Sequence, residues 1–100
     1  MRNNGTLPFL PADAVIEVSA RAGLEGPATL PVTPVTPDLA GLITHVWGYE
    51  EYALDAALRG GRDRVYRALL AHPLIGQHEY ADALADKLIA TGRDHLAWAR

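Results

Sequence analysis

The sequence predicts an α+β fold that is mainly helical, with an N-terminal β-hairpin and a proline-rich arm packed on three helices. Three observations carry this. Apolar residues recur at spacings of mostly three and four from Leu39 to Leu58, the helical period. Five of the seven prolines fall before residue 36, where they break up short apolar runs. Residues 14–20, "AVIEVSA", are rich in β-branched side chains and form the clearest strand candidate. The chain therefore divides into residues 1–36, hairpin and arm, and residues 37–100, the helical part.

In the first part, "RAGLEG" reads as a glycine-bearing turn after the 14–20 strand, and "PATLPV" as the returning strand. Pro31 lacks a donor, so that strand belongs at an edge. Pro31, Pro34 and Pro37 then recur at the period of an extended polyproline segment. Little core is expected here.

The helices have clear signals. Thr36 is a good N-cap, with Pro37 at the first helical position and Asp38 in the first turn. Gly60 and Gly61 end the first helix beside Arg59, and Asp55 and Arg59 make a favourable i,i+4 pair. The second helix, about 62–71, presents Val65, Ala68, Leu69 and His72 on one side, and Pro73 stops it. The third, about 78–91, carries Tyr80, Leu84 and Leu88, with Gly92 closing it. "RDHLAWAR" is expected to add a last turn or fray.

Composition narrows the function. One hundred residues fit one small domain, and 49% hydrophobic with 21% charged residues is ordinary globular composition. The absence of cysteine removes disulfides, thiolate metal ligands and a cysteine nucleophile. A net charge of −3 argues against nucleic acid as a partner. No apolar run reaches the ~18 residues of a membrane span, and the N-terminus shows no signal-peptide core. A cytoplasmic protein is the expectation.

Four constellations merit weighing. His72 and His78, with Glu79, use the residue types of a metal site, but two histidines and one carboxylate are fewer ligands than structural zinc takes. Helix-end residues are the better reading. Arg59, Arg62, Arg64 and Arg67 cluster as in a helix-turn-helix, yet Asp63 interrupts them, which favours a solvated face with a pair such as Asp63–Arg67. Trp47, Tyr49, Tyr52 and Tyr66 could line a sugar platform or a partner groove, but aromatics at helical spacing better suit a core or an oligomer interface. Trp47 lies off the main stripe, as a second buried face would place it. Asn3, Asn4 and Gly5 form a turn whose asparagines could also orient sugar hydroxyls.

Several stretches together resemble the C-terminal part of the glycoside hydrolase family 4 enzymes. "NNGTLPFLPADAVIEV" is similar to the segment that opens that part. "LPVTPVTPDLAGLITHVWGYEEYALDAAL" resembles its proline-spaced lead-in and long helix. "GGRDRVYRALLAHPLIG" matches the next helix with its "HPL" ending, and "ADALADKLI" the last. The likeness covers nearly the whole chain in order and points to the family's 6-phospho-β-glucosidases. One departure is "EVSARAG", where relatives carry proline after the valine.

The resemblance implies an elimination chemistry rather than the usual two-carboxylate scheme. In it NAD oxidises the sugar 3-hydroxyl, a divalent metal such as manganese polarises the ketone, and a base takes the 2-proton. The family binds NAD on a Rossmann domain, which needs a glycine-rich turn after a strand, and its metal ligands lie upstream of the region matched here. The expectation is a C-terminal fragment that supplies scaffold and a homo-oligomer contact. It carries no catalytic, cofactor or metal residue of its own and has the missing N-terminal Rossmann portion as partner. Asn3, Asn4 and Gly5 would at most border the sugar site. In the family's pattern His72 is scaffold. The alternative is a small helical interaction domain using the Trp47 face.

Overall fold

A computed structural model describes residues 1–99 and contains the α+β, mainly helical set of elements that the sequence predicts. In order these are β1 (Ala20–Gly23), β2 (Gly26–Thr29), α1 (Pro37–Arg59), α2 (Arg62–Ala71) and α3 (His78–Gly92). Two 3₁₀ turns follow, Arg93–His95 and Ala97–Ala99. The chain divides into two compact units, Met1–Thr44 and His45–Arg100.

In the first unit the hairpin exists, but not where the β-branched run placed it. The strands are antiparallel, with Ala20 opposite Thr29 and Gly23 opposite Gly26, so "RAGLEG" is a strand and its turn rather than the turn alone. Leu24 and Glu25 make the connection, and the left-handed step falls on Gly26, φ 97°. Residues 14–19 are extended without being a named strand. Ala14 and Ile16 are buried while Val15 is 74% exposed, the alternation of a half-buried strand. Their backbone partners are the first three residues: Asn3 N–H donates to Ala14 O at 2.7 Å and Ile16 N–H to Met1 O at 2.8 Å. The Arg2–Val15 pairing is an isolated bridge, too short for a ladder. The start of the β-branched run thus pairs with three residues at the N-terminus, and only its end, Ser19 and Ala20, enters the hairpin.

The start of α1 follows its signals. Ala40 N–H donates to Thr36 O at 2.9 Å, which places Thr36 at the cap. A hydrogen bond with the Thr36 side chain, then backbone bonds at Leu39 and Asp38 itself, hold the Asp38 carboxyl below the usual carboxylate range. Only Ala56 of α1 is buried, and Leu39, Leu42, Leu54 and Leu58 are 52–76% exposed. The long apolar stripe is therefore largely uncovered.

In the second unit α2 packs on α3 through Leu69, Ala81 and Ala85, with Val65, Tyr66, Leu70, Ile75 and Leu84 around them. Ala81 and Ala85 are fully buried, whereas Tyr80 and Leu88 are 65% and 48% exposed. The buried line of α3 thus runs one position beyond the Tyr80–Leu84–Leu88 stripe. Small alanines one helical turn apart let two helices approach closely, a pattern that counting large apolar residues overlooks. Gly92 lies inside α3 rather than after it, and the chain runs directly into the first 3₁₀ turn.

Arg62 clips the start of α2 to α3. Its Nε donates to Asp86 Oδ1 at 2.6 Å and its Nη2 to Asp82 Oδ1 at 2.7 Å. The Arg62 hydrogen bond, more than any charge effect, holds the Asp86 carboxyl below its ordinary 3.8. A carboxyl depressed on folding binds its proton more readily in the unfolded chain. The clip therefore stabilises fully above the ordinary value and is lost as pH falls through the folded one. Thermal melts between about pH 6 and pH 2 should show the midpoint falling below about pH 4. The fall should be shallower in Asp86→Asn; equal slopes would show that the clip contributes nothing.

Candidate functional site

The N-terminal loop is organised from inside by Asn3, among the described residues the one large side chain that is fully buried. Its Nδ2 shares two N–H groups among the carbonyls of Leu7, Leu10 and Pro11, each at 2.9 Å, and its Oδ1 accepts from Leu7 N–H at 2.7 Å. Its own N–H and C=O bond to Ala14 O and Thr6 N–H. An amide is the only neutral side-chain group that offers two donors and an acceptor in one plane, so this cradle suits asparagine. Leu7, Leu10, Ala14 and Ile16 are the buried apolar residues of the same segment.

The turn above it matches the "NNG" signal. Thr6 N–H donates to Asn3 O at 2.8 Å, and the central residues Asn4 and Gly5 have φ 45° and 86°. Positive φ at both positions is the type I′ pattern, for which Asn-Gly is the favoured pair. Asn4 is exposed and Gly5 has nothing within 4 Å of the place a Cβ would take. Asn3 is thus committed to the loop, and Asn4 with Gly5 forms its outer rim. In the same unit a 300 Å³ groove runs between Thr6, Leu7, Pro8 and Phe9 on one side and Val32, Thr33, Pro34 and Val35 on the other. The proline-spaced arm is one wall of this groove.

In the helical unit the two histidines go to separate helix junctions. His72 caps α2: its backbone is extended at ψ 129° before Pro73, and its Nδ1 accepts from Leu74 N–H at 3.1 Å. The Tyr49 ring meets it edge-on at 4.5 Å between centroids. His78 opens α3, with its Nδ1 at the hydroxyl of Tyr66. Among the described residues no three of His, Cys, Asp and Glu gather as a metal site would need.

All four arginines of the cluster have carboxylate partners. Besides Arg62, Arg59 and Arg64 both meet Asp55 at 3.0 Å, and Arg67 meets Asp63 at 3.1 Å. The Asp55–Arg59 and Asp63–Arg67 pairs follow the i,i+4 spacing; the longer-range Arg62 and Arg64 pairs have no local signal. Tyr52, Asp55, Asp63, Arg64 and Arg67 line a polar hollow of 290 Å³. Beside it, an apolar groove of 330 Å³ runs between α1 (Tyr49, Ala53, Ala56, Ala57), α2 (Val65, Ala68, Leu69) and α3 (Leu88, Ile89, Gly92). Leu96 and Trp98 of the last turns complete its wall. Trp47 is half-buried on α1 and is not among the residues that line it. No helix among the described residues is long and apolar enough to cross a membrane.

Comparison with known proteins gives this arrangement a family. The chain is 32% identical over 97 residues to the 6-phospho-beta-glucosidase of Escherichia coli, covering 96% of this chain and 21% of that protein. It is 24% identical over 94 residues to the probable 6-phospho-beta-glucosidase of Bacillus subtilis, covering 94% and 21%. It is 27% identical over 93 residues to the phospho-alpha-glucosidase PagL of Clostridium acetobutylicum, covering 93% and 21%. The chain thus spans about a fifth of the length of these curated relatives. No solved structure matches it. Residues 1–75, which hold the Asn3 loop, the hairpin, α1 and α2, match the family 4 glycosyl hydrolase C-terminal domain, and to that family the chain belongs.

Proposed function

We propose that this chain is the scaffold and subunit-contact segment of a 6-phosphoglycosidase that uses NAD and a divalent metal such as manganese, and that it is not catalytic alone. The observation that carries this is the match of residues 1–75 to the family's C-terminal domain in a chain a fifth as long as its relatives. Residues 1–36 and 37–100 act together as that domain. Two of the three relatives are named as 6-phospho-beta-glucosidases and one as a phospho-alpha-glucosidase. The substrate class is accordingly 6-phosphoglycosides, β-glucosides first, in the cytoplasm.

The residues present do not fit the cofactors. The sequence has no glycine-rich strand-to-helix turn for a pyrophosphate and no cysteine, and no three metal-ligating side chains gather among the described residues. No step of the reaction is derived on this chain. What it offers is form: the Asn3 cradle presents Asn4 and Gly5 as a firm rim to a sugar site built elsewhere. The uncovered leucines of α1 supply apolar surface for a Rossmann portion and for a homo-oligomer. Calorimetric titration of the chain with NAD, with and without manganese, should show no saturable heat up to about 1 mM. Micromolar binding would contradict the reading.

A further inference from the structure

We propose that residues 93–99 form a removable strap over the apolar groove of the helical unit, latched by Trp98 seated on Gly60. The groove has walls from three helices and is lined by alanines, leucines and other apolar groups, with Leu96 and Trp98 reaching across it from the last turns. Two glycines receive those two side chains. Gly60 is buried, and a Cβ built on it would overlap the Trp98 indole. At Gly92 a Cβ would lie 3.4 Å from Leu96 Cδ1. The contact at Gly60 leaves no room for any other residue, so the indole reads the missing side chain.

The backbone of the strap is held locally. Leu96 N–H donates to Arg93 O at 3.3 Å and Ala99 N–H to Leu96 O at 2.9 Å, both within the segment. Short 3₁₀ turns have little stability of their own, so the seating of two apolar side chains adds to what keeps the segment down. A short segment held by side-chain seating opens at a lower free energy than the helices beneath it. The groove is thus closed by the chain's own Leu96 and Trp98, and release of the latch uncovers its apolar lining.

The test uses the full chain with Trp47→Phe, which leaves Trp98 as the sole indole. Acrylamide should quench it severalfold less than in the urea-unfolded chain. Gly60→Ala should raise quenching towards the unfolded value and increase binding of the apolar dye anilinonaphthalene sulfonate. Gly61→Ala is the control: it too has a positive φ, 97° against 68°, but its Cβ meets only Arg64 Nη1 at 3.5 Å. Trp98 should stay shielded there. Equal quenching in the two variants, or full quenching in the parent, would overturn the proposal. If Gly60→Ala fails to fold, Trp98→Ala decides: unchanged helical circular dichroism with severalfold more dye bound supports the strap. Unchanged dye binding overturns it, as does dimer formation without dye uptake, which would make a second copy the occupant.

Discussion

Replacing Asn3 by alanine is expected to destabilise the chain by about 3 kcal/mol, measured by urea unfolding. The side chain is fully buried and makes four hydrogen bonds. Truncation orphans the Leu7 N–H and the Leu10 carbonyl, while the carbonyls of Leu7 and Pro11 keep the N–H groups of Leu10 and Ala14. Each buried orphan costs about 1–3 kcal/mol, against about 5–15 kcal/mol of total stability for an ordinary domain. Asn3→Asp should be worse near neutral pH than its near-identical shape suggests. It keeps the acceptor for Leu7 N–H but turns a carboxylate oxygen towards three carbonyl oxygens. Burial among acceptors raises such a carboxyl on folding, so the deficit should shrink as pH falls through the raised value. A loss below about 1 kcal/mol for Asn3→Ala would mean the loop holds without its cradle.

The contrast between Asn3 and the helices shows which physics a sequence displays. α1 and α2 begin and end where capping residues, prolines and glycines place them, because those signals act on the nearest backbone groups. The turn at Asn4 and Gly5 is legible for the same reason. Asn3 is not: from its neighbours it is one more turn residue, and only the return of Leu10 and Pro11 makes it a buried hub. A paired asparagine ahead of glycine, followed by Leu-Pro and Leu-Pro again, was the available signal.

Partner choice was the other gap. The run of residues 14–20 has the side chains of a strand, but propensity does not name the partner: residues 1–3 pair with its start, and only Ser19 and Ala20 reach the hairpin. On α3 the large apolar residues drew the eye from Ala81 and Ala85, the positions where close packing removes all exposure. The Arg62 bonds to Asp82 and Asp86, and the Trp98 seat on Gly60, join residues 20 or more positions apart in sequence. No local pattern encodes them. The metal-like trio of His72, His78 and Glu79 shows the reverse case, residue types without convergence, since each histidine serves its own helix junction.

The other large effect expected is all-or-none. Hydride transfer requires a nicotinamide held at near-attack distance from the sugar, and elimination requires an electrophile at the new ketone. Effective molarities of about 10⁵–10⁸ M are at stake in such positioning, so on the proposed reading no partial activity is expected of this segment. On that reading, the Asn3 loop and the α1 surface contribute once the rest of the enzyme is present. The decisive measurement is release of nitrophenol from a nitrophenyl 6-phosphoglucoside with NAD and manganese supplied. It is run on the chain alone, on a separately expressed Rossmann portion of a family member, and on the mixture. Turnover only in the mixture, reduced by Asn3→Ala in proportion to unfolded chain, is the predicted result. NAD-dependent turnover by this chain alone would contradict it, because the reacting groups would then lie on these hundred residues.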